Sequence, residues 1–353
     1  MGQIEFTLNG ELATAEEGMT ILKAAEVNGI EVPHLCHADY LEPWGACRLC
    51  VVEVEGQRAL MPSCYVNIQP GMKVSTHSER VLGARKLVLE LLLSAHPKDC
   101  LTCEMSGKCL LQKYCYEMGI ENSRFEGGQV YNYLVHRDNP FYIRDYNKCI
   151  LCGKCVRACA EVQGDNIIDF AHRGFDTIIS TALERTMAEA DCVFCGNCVA
   201  ACPTGALVEK DTIGAAREWE VEKVTTTCPY CGCGCQFDLN IRDDKVVKVT
   251  SNENAPVNGV ALCVKGRFGY GFVNSAGRLT TPLIRKYGEL KPAGWNEALD
   301  LVAKRLNDIR TEHGTDSIGG LSSAKCTNEE NYLFQKFMRA VIGTNSVDHC
   351  ARL

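Results

Sequence analysis

The chain has 353 residues, 46% of them hydrophobic and 23% charged, a globular composition with room for two or three domains. A net charge of −7 argues against a nucleic-acid partner, which needs surplus Lys and Arg for its phosphates. The start MGQIEFTLNGELATAEEG is acidic and lacks a signal peptide's apolar segment, and the apolar stretch 87–93 is broken by Glu90; neither export nor a membrane span is expected, and the reading is cytoplasmic. In that compartment 23 cysteines point to metal thiolates rather than disulfides.

Along the chain, Ile4, Phe6 and Leu8 alternate as in a half-buried strand, and Asn9-Gly10 reads as a hairpin turn. A helix is predicted over 20–28 with Gly29 as its cap, and a strand over 51–54 turning at Glu55-Gly56. An amphipathic helix follows over 79–95, with Val81, Leu82, Leu87, Val88, Leu91 and Leu92 at helical spacing, and stops at His96-Pro97. Residues 97–145 are loop-rich. Two copies of one cysteine pattern occupy 146–210, an internal repeat, and 211–224 read as a polar helical connector. Past Thr225, another cysteine-rich segment leads to helices over 295–310 and 328–342 with a strand over 317–321 between them. This is the opening of a larger α/β domain.

In the repeat, Cys149-x2-Cys152-x2-Cys155-x3-Cys159 is followed by Cys192-x2-Cys195-x2-Cys198-x3-Cys202-Pro203. Three closely spaced thiolates wrap one side of a [4Fe–4S] cubane, and the distant fourth serves the other cluster. One cubane is therefore assigned to Cys149, Cys152, Cys155 and Cys202, the other to Cys192, Cys195, Cys198 and Cys159. Structural zinc prefers two separated pairs. Ala160 stands where the second copy has Pro203.

Cys36-x10-Cys47-x2-Cys50-x13-Cys64 is a variant of plant-type [2Fe–2S] spacing. The strand–helix unit around it, and Gly45 and Arg48 in a loop that must bring amides toward the sulfurs, favour that cluster over zinc. His96-x3-Cys100-x2-Cys103-x5-Cys109 offers an imidazole at a helix end, either a cap or a fourth iron ligand. Cys228-x2-Cys231-x3-Cys235 with Cys263 makes a further cubane, and spacing leaves Cys233 and Cys235 as alternatives in it. The spare Cys115, Cys233, Cys326 and Cys350 read as buried small hydrophobes. His34, His37 and His349 read as surface or core residues.

The order of these motifs resembles the N-terminal half of iron-only hydrogenases and of NAD-dependent formate dehydrogenase large subunits. The large iron–sulfur subunit of respiratory complex I is similar in its first two modules and last cluster. Cys228-Pro229-Tyr230-Cys231 through Cys263-Val264-Lys265-Gly266 resembles the entry to a molybdopterin oxidoreductase. Cys326-Thr327-Asn328-Glu329-Glu330-Asn331-Tyr332 and Val347-Asp348-His349-Cys350-Ala351-Arg352 are similar to cytosolic formate dehydrogenases. The likeness covers the whole chain and implies an α+β string of modules. These are a β-grasp [2Fe–2S] ferredoxin at 1–80, a histidine-ligated [4Fe–4S] module at 81–145, a two-cluster bacterial ferredoxin at 146–216, a [4Fe–4S] molybdopterin-oxidoreductase domain at 217–280 and an incomplete α/β pterin domain at 281–353. It also implies ligation by His96, the choice of Cys235 over Cys233, and a Lys265 that lies between the last cubane and the pterin rather than in a solvated loop.

A protein of that family takes two electrons and a proton from formate at molybdenum or tungsten. One [2Fe–2S] and four [4Fe–4S] clusters would relay the electrons to flavin/NAD(P)-binding and small iron–sulfur subunits, to ferredoxin or to a hydrogenase. The alternative expectation is a non-catalytic relay subunit of a hydrogenase- or complex I-like assembly. Formate dehydrogenases of this type follow Cys-Ala-Arg-Val/Leu with a metal-binding cysteine or selenocysteine. Cys350-Ala351-Arg352-Leu353 is thus expected to stop directly before that residue, at a UGA codon, leaving the catalytic ligand outside the chain.

Overall fold

The computed structural model describes residues 2–125 and 131–351, so Arg352 and Leu353 of the chain-end motif lie outside the described residues. The first module is a five-stranded sheet in the order β2-β1-β5-β3-β4, built from β1 (Gln3–Leu8), β2 (Glu11–Glu16), β3 (Val51–Val54), β4 (Met61–Pro62) and β5 (Lys73–Ser75). The β1–β2 turn places Asn9 at φ 52° and Gly10 at φ 91°, the left-handed pair that a tight hairpin matching strand twist demands. Helix α1 (Ile21–Val27) is capped by Thr20, whose hydroxyl accepts from Lys23 N at 3.2 Å, and packs Ile21, Leu22, Ala24 and Ala25 onto Phe6, Leu8 and Val52.

Helix α2 (Glu79–Ala95) has the predicted bounds, with Ser78 as its cap. Its buried face is another matter: Val81, Arg85, Leu89 and Glu90 are inside, while Leu82, Leu87 and Leu91 are exposed. Two polar side chains can sit inside because each has a partner. Arg85 donates to the Val51 carbonyl at 2.9 Å, and Glu90 accepts from Arg124 at 2.8 and 2.9 Å. The loop-rich segment after α2 contains one unforeseen helix, α3 (Leu110–Glu117), whose Leu111 and Tyr114 pack with Leu35, Leu49 and Leu89.

The repeat is visible in the backbone. Strands β6 (Tyr142–Arg144) and β9 (Leu207–Glu209) pair antiparallel, as do β7 (Ile168–Ala171) and β8 (Ile178–Thr181), around helices α4 (Lys154–Arg157) and α5 (Asn197–Ala201). In the first copy the helix runs on through a π-helical turn over 158–163, which Ala160 permits; in the second it ends at Cys202-Pro203, as proline requires.

The expected helical connector over 211–224 is not one. It holds single 3₁₀ turns at Lys210–Thr212 and Glu218–Glu220, then strand β10 (Glu222–Thr227). Gly214 at φ +70° breaks any helix there, and Arg217 donates to the Cys103 carbonyl at 2.6 Å, holding the chain against its neighbour. β10 forms a sheet with β11 (Gln236–Arg242) and β12 (Lys245–Ser251), followed by helix α6 (Val264–Phe268) and the hairpin of β13 (Leu283–Lys286) and β14 (Glu289–Pro292). The last section has α7 (Trp295–His313), β15 (Gly320–Ser322), α8 (Asn328–Lys336) and β16 (Val347–His349), with β15 and β16 parallel. Neither α7 nor α8 buries a residue fully, and their core is the small cluster Ile318, Met338 and Ile342. Among the described residues no helix is long and apolar enough to cross a membrane.

Candidate metal centres

All 23 cysteines are free thiols. The first group forms two thiol pairs. Cys50 and Cys64 lie 3.4 Å apart, and Cys36 hydrogen-bonds with both Cys47 and Cys64. These bonds hold Cys36 far below the usual thiol range, whereas Cys47 and Cys64 are pushed up by the Cys36 thiolate and by burial. Gly45 (φ 65°) and Arg48 (φ 57°) are both left-handed, and Cys47 N points at Cys36 Sγ from 3.5 Å. Two pairs with an amide turned toward sulfur suit two irons, one pair to each.

The two halves of the repeat exchange their fourth cysteine. Burial raises the thiols of Cys149, to about 11, and Cys152, to about 12, and the nearby Cys202 adds to both; Cys155 is raised well above the ordinary thiol value for the same reasons. In the other half, burial raises Cys192, Cys195 and Cys198, and the added neighbour is Cys159. The ligand loops repeat the same left-handed positions and amide-to-sulfur hydrogen bonds. Leu151 and Phe194 are left-handed at φ 52° and 55°, Gly153 and Gly196 at φ 71° and 75°. Leu151 N and Phe194 N each donate to the preceding cysteine sulfur at 3.4 Å, and Ile167 N donates to Cys159 Sγ at 3.3 Å. Left-handed alternation turns successive amides inward, the arrangement that receives an anion.

In the third group, His96 Nδ1 is buried without a hydrogen-bond partner, and burial lowers the imidazole pKa, favouring the neutral ring. A neutral imidazole with an open buried nitrogen has the donor chemistry of a metal ligand. Burial raises Cys100 and Cys109, and Cys103 is close to both. In the last group Cys228 N donates to the Cys235 carbonyl at 2.8 Å, and Cys233 Sγ is 3.5 Å from Cys235 Sγ. Cys228 is buried, Cys235 half-buried, and Cys231, Cys233 and Cys263 are exposed. Both candidate cysteines thus sit at this site. Lys265 is exposed on α6, which starts at Cys263. Of the spare cysteines only Cys115 is buried; Cys233, Cys326 and Cys350 are exposed, contrary to expectation. Among the described residues no three His, Cys, Asp or Glu converge as tightly as a single-ion site needs.

Adjacent groups interlock. Arg157 donates to the carbonyls of Cys36 and Glu42 and lies 5.4 Å from the Trp44 ring, pinning the first loop to α4. At Gly205 a Cβ would fall 2.7 Å from Cys103 Sγ, so the third group lies directly on the Cys202 turn. At Gly196 a Cβ would fall 2.5 Å from Arg267 Cδ, so α6 lies directly on the Cys195 loop. Sequence alone does not single out these arginines, whose only signal is proximity to a ligand cysteine. Nor does it reveal a cavity of about 240 Å³ bordered by Cys202, Glu209, Asn240, Lys248 and Arg267. Burial raises the Glu209 pKa and lowers that of Lys248 to about 8.

This fold and these cysteines define a multi-module iron–sulfur protein joined to a molybdopterin-type domain. Five family models match: a 2Fe-2S iron-sulfur cluster binding domain (2–79), the NADH-ubiquinone oxidoreductase-G iron-sulfur binding region (85–124), the ferredoxin-like domain of NADH-quinone oxidoreductase subunit 3 (140–208), the molybdopterin oxidoreductase Fe4S4 domain (221–275) and molybdopterin oxidoreductase (278–353). In chain order, tandem iron–sulfur domains are thus followed by a molybdopterin oxidoreductase domain. It is 40% identical over 350 residues to the NADPH-Fe(3+) oxidoreductase subunit alpha of Geobacter sulfurreducens, covering 99% of this chain and 40% of the relative. It is 39% identical to an NADH-quinone oxidoreductase subunit of Rhizobium meliloti and 36% identical to "Putative formate dehydrogenase YrhE" of Bacillus subtilis, with the same coverage. The chain therefore spans about 40% of the length of the curated relatives it matches. A crystal structure of an NAD+-reducing [NiFe]-hydrogenase in the H2-reduced state aligns with TM-score 0.51 and 33% identity, over 59% of this chain and 87% of that one.

Proposed function

We propose that this chain is the electron-relay portion of a formate-oxidising molybdopterin oxidoreductase, carrying one [2Fe–2S] and four [4Fe–4S] clusters on the twenty predicted ligands, His96 and Cys235 among them. When bound, the clusters carry single electrons, and a pterin-held molybdenum or tungsten supplies the two-electron oxidation of formate. The carrying observation is the unbroken series of interlocked ligand loops. Arg267 joins the Cys263 helix to the Cys195 loop, the exchanged Cys159 and Cys202 join the two halves of the repeat, and the Cys202 half touches both the Cys36 loop and the Cys103 loop. The residues' task is to hold these loops at fixed separation and to turn amides toward sulfur, since transfer depends on positioning. Lys265, at the start of α6, would lie between the last cubane and the pterin. The partner would be a flavin/NAD(P)-binding subunit with small iron–sulfur subunits, or ferredoxin or a hydrogenase.

A second reading has its own support: at 40% identity to an NADPH-Fe(3+) oxidoreductase subunit, the chain is a relay of an NAD(P)-linked reductase that never meets formate. The assay is reduction of the reconstituted chain by dithionite and by formate, with pterin and molybdenum or tungsten measured, alone and in its native assembly. Formate reducing the clusters only in the assembly, with metal and pterin present, supports the first reading. Reduction by NAD(P)H but not by formate in a pterin-free assembly supports the second.

A further inference from the structure

Arg267 is 1% exposed, yet among the described residues no carboxylate lies within 4 Å of its guanidinium. Its donors go to neutral acceptors: Nε to the Cys195 carbonyl, and Nη2 to Asn197 Oδ1 and Ser251 Oγ, each at 3.0 Å. Gly196 at φ 75° leaves the space that its Cδ occupies. A buried, hydrogen-bonded but uncompensated charge is expensive, because neutral dipoles replace only part of its hydration. The carboxyl that senses it most, Glu209, is itself held toward its neutral form by burial. The recurrence is informative. Arg85 and Arg157 are also almost fully buried with no carboxylate in contact, and each donates to a carbonyl within the first ligand group, at Val51 next to Cys50 and at Cys36. Buried Glu90 and Arg144, away from ligand carbonyls, have ordinary ion-pair partners in Arg124 and Asp138.

We propose that Arg267 is the built-in counter-charge of the cubane on Cys192, Cys195, Cys198 and Cys159, a positioning residue that raises that cluster's reduction potential and so makes it the acceptor for electrons leaving the Cys263 side. The inference rests on the cluster assignment above. A cubane on four thiolates is an anion and gains charge with each electron, so a fixed cation against its ligand loop stabilises the reduced form more than the oxidised. The guanidinium, bonded to both the Cys195 loop and β12, also fixes the loop's distance from α6.

The test is an EPR-monitored redox titration of the reconstituted full-length chain and its Arg267→Gln and Arg267→Lys variants. The signal is assigned by its loss in Cys195→Ser. With Gln, the reduced-to-oxidised ratio of that one cubane at a given potential should fall at least tenfold, about 59 mV for a one-electron couple. With Lys it should stay within threefold, and the other signals should not move. A Gln variant that fails to hold this cubane, beside a Lys variant that holds it at the original potential, also supports the counter-charge. Equal shifts in Gln and Lys, loss of the cubane from both, or no shift in either would overturn it. Wild-type chain with no signal sensitive to Cys195→Ser would instead refute the cluster assignment.

Discussion

Substituting Gly196 by alanine probes the contact between the second cubane loop and α6. The new Cβ would lie 2.5 Å from Arg267 Cδ and 2.7 Å from Phe268 Cζ, and the backbone there sits at φ 75°. Left-handed backbone costs a non-glycine residue about 1–2 kcal/mol, and overpacking a filled site costs about 1–3 kcal/mol. The neighbours have little room to move, since Arg267 is tied by three hydrogen bonds and Phe268 stacks on Phe141 at 4.7 Å between centroids. The expected loss is about 2–5 kcal/mol from the two costs together, seen as a lower urea midpoint for loss of iron–sulfur absorbance. Gly83 is the matched control: it lies inside α2 with nothing within 4 Å of where a Cβ would sit, so Gly83→Ala should stabilise by about 0.5–1 kcal/mol. Equal midpoints for the two variants would refute the close approach of α6 to the Cys195 loop.

His96→Ala should remove or convert one cubane EPR signal and leave those of the paired cubanes; an unchanged spectrum and iron content would return His96 to the role of a helix-end residue. Arg157→Ala should loosen the 36–47 loop by about 2–4 kcal/mol through loss of two charge-assisted hydrogen bonds, read as faster amide exchange across Cys36–Cys47; unchanged exchange would refute the pin. Lys248 is held down to about 8 chiefly by burial, so its charge opposes folding below pH 8 and the penalty fades as pH rises toward the unfolded lysine value of about 10.4. Lys248→Met should therefore stabilise the chain by about 1–2 kcal/mol at pH 7 and by nothing near pH 11, in denaturation measured across that range; a benefit independent of pH would contradict the buried charge.

Local signals carried much of the fold. His96-Pro97 ended α2 where proline geometry requires, and Asn9-Gly10 turned the first hairpin. Cysteine spacing anticipated both the backbone repeat at Leu151/Phe194 and Gly153/Gly196 and the placing of Cys202 with the first triplet. What escaped was tertiary. The inward face of α2 depends on partners distant in sequence, Val51 for Arg85 and Arg124 for Glu90. Helix α3 is eight residues long and lies between ligands, too short for a periodic pattern. The connector failed as a helix because Gly214 and the reach of Arg217 to Cys103 outweigh the propensity of its polar residues. Buried arginines leave no periodic trace at all. Their meaning emerges only when the carbonyls they bind prove to belong to ligand loops.

Iron and labile sulfide per chain test the central claim of five clusters most directly. Anaerobically reconstituted protein should approach about 18 of each, from one two-iron and four four-iron clusters. Saturation near about ten irons, with the remaining cysteines still reactive as thiols, would contradict it.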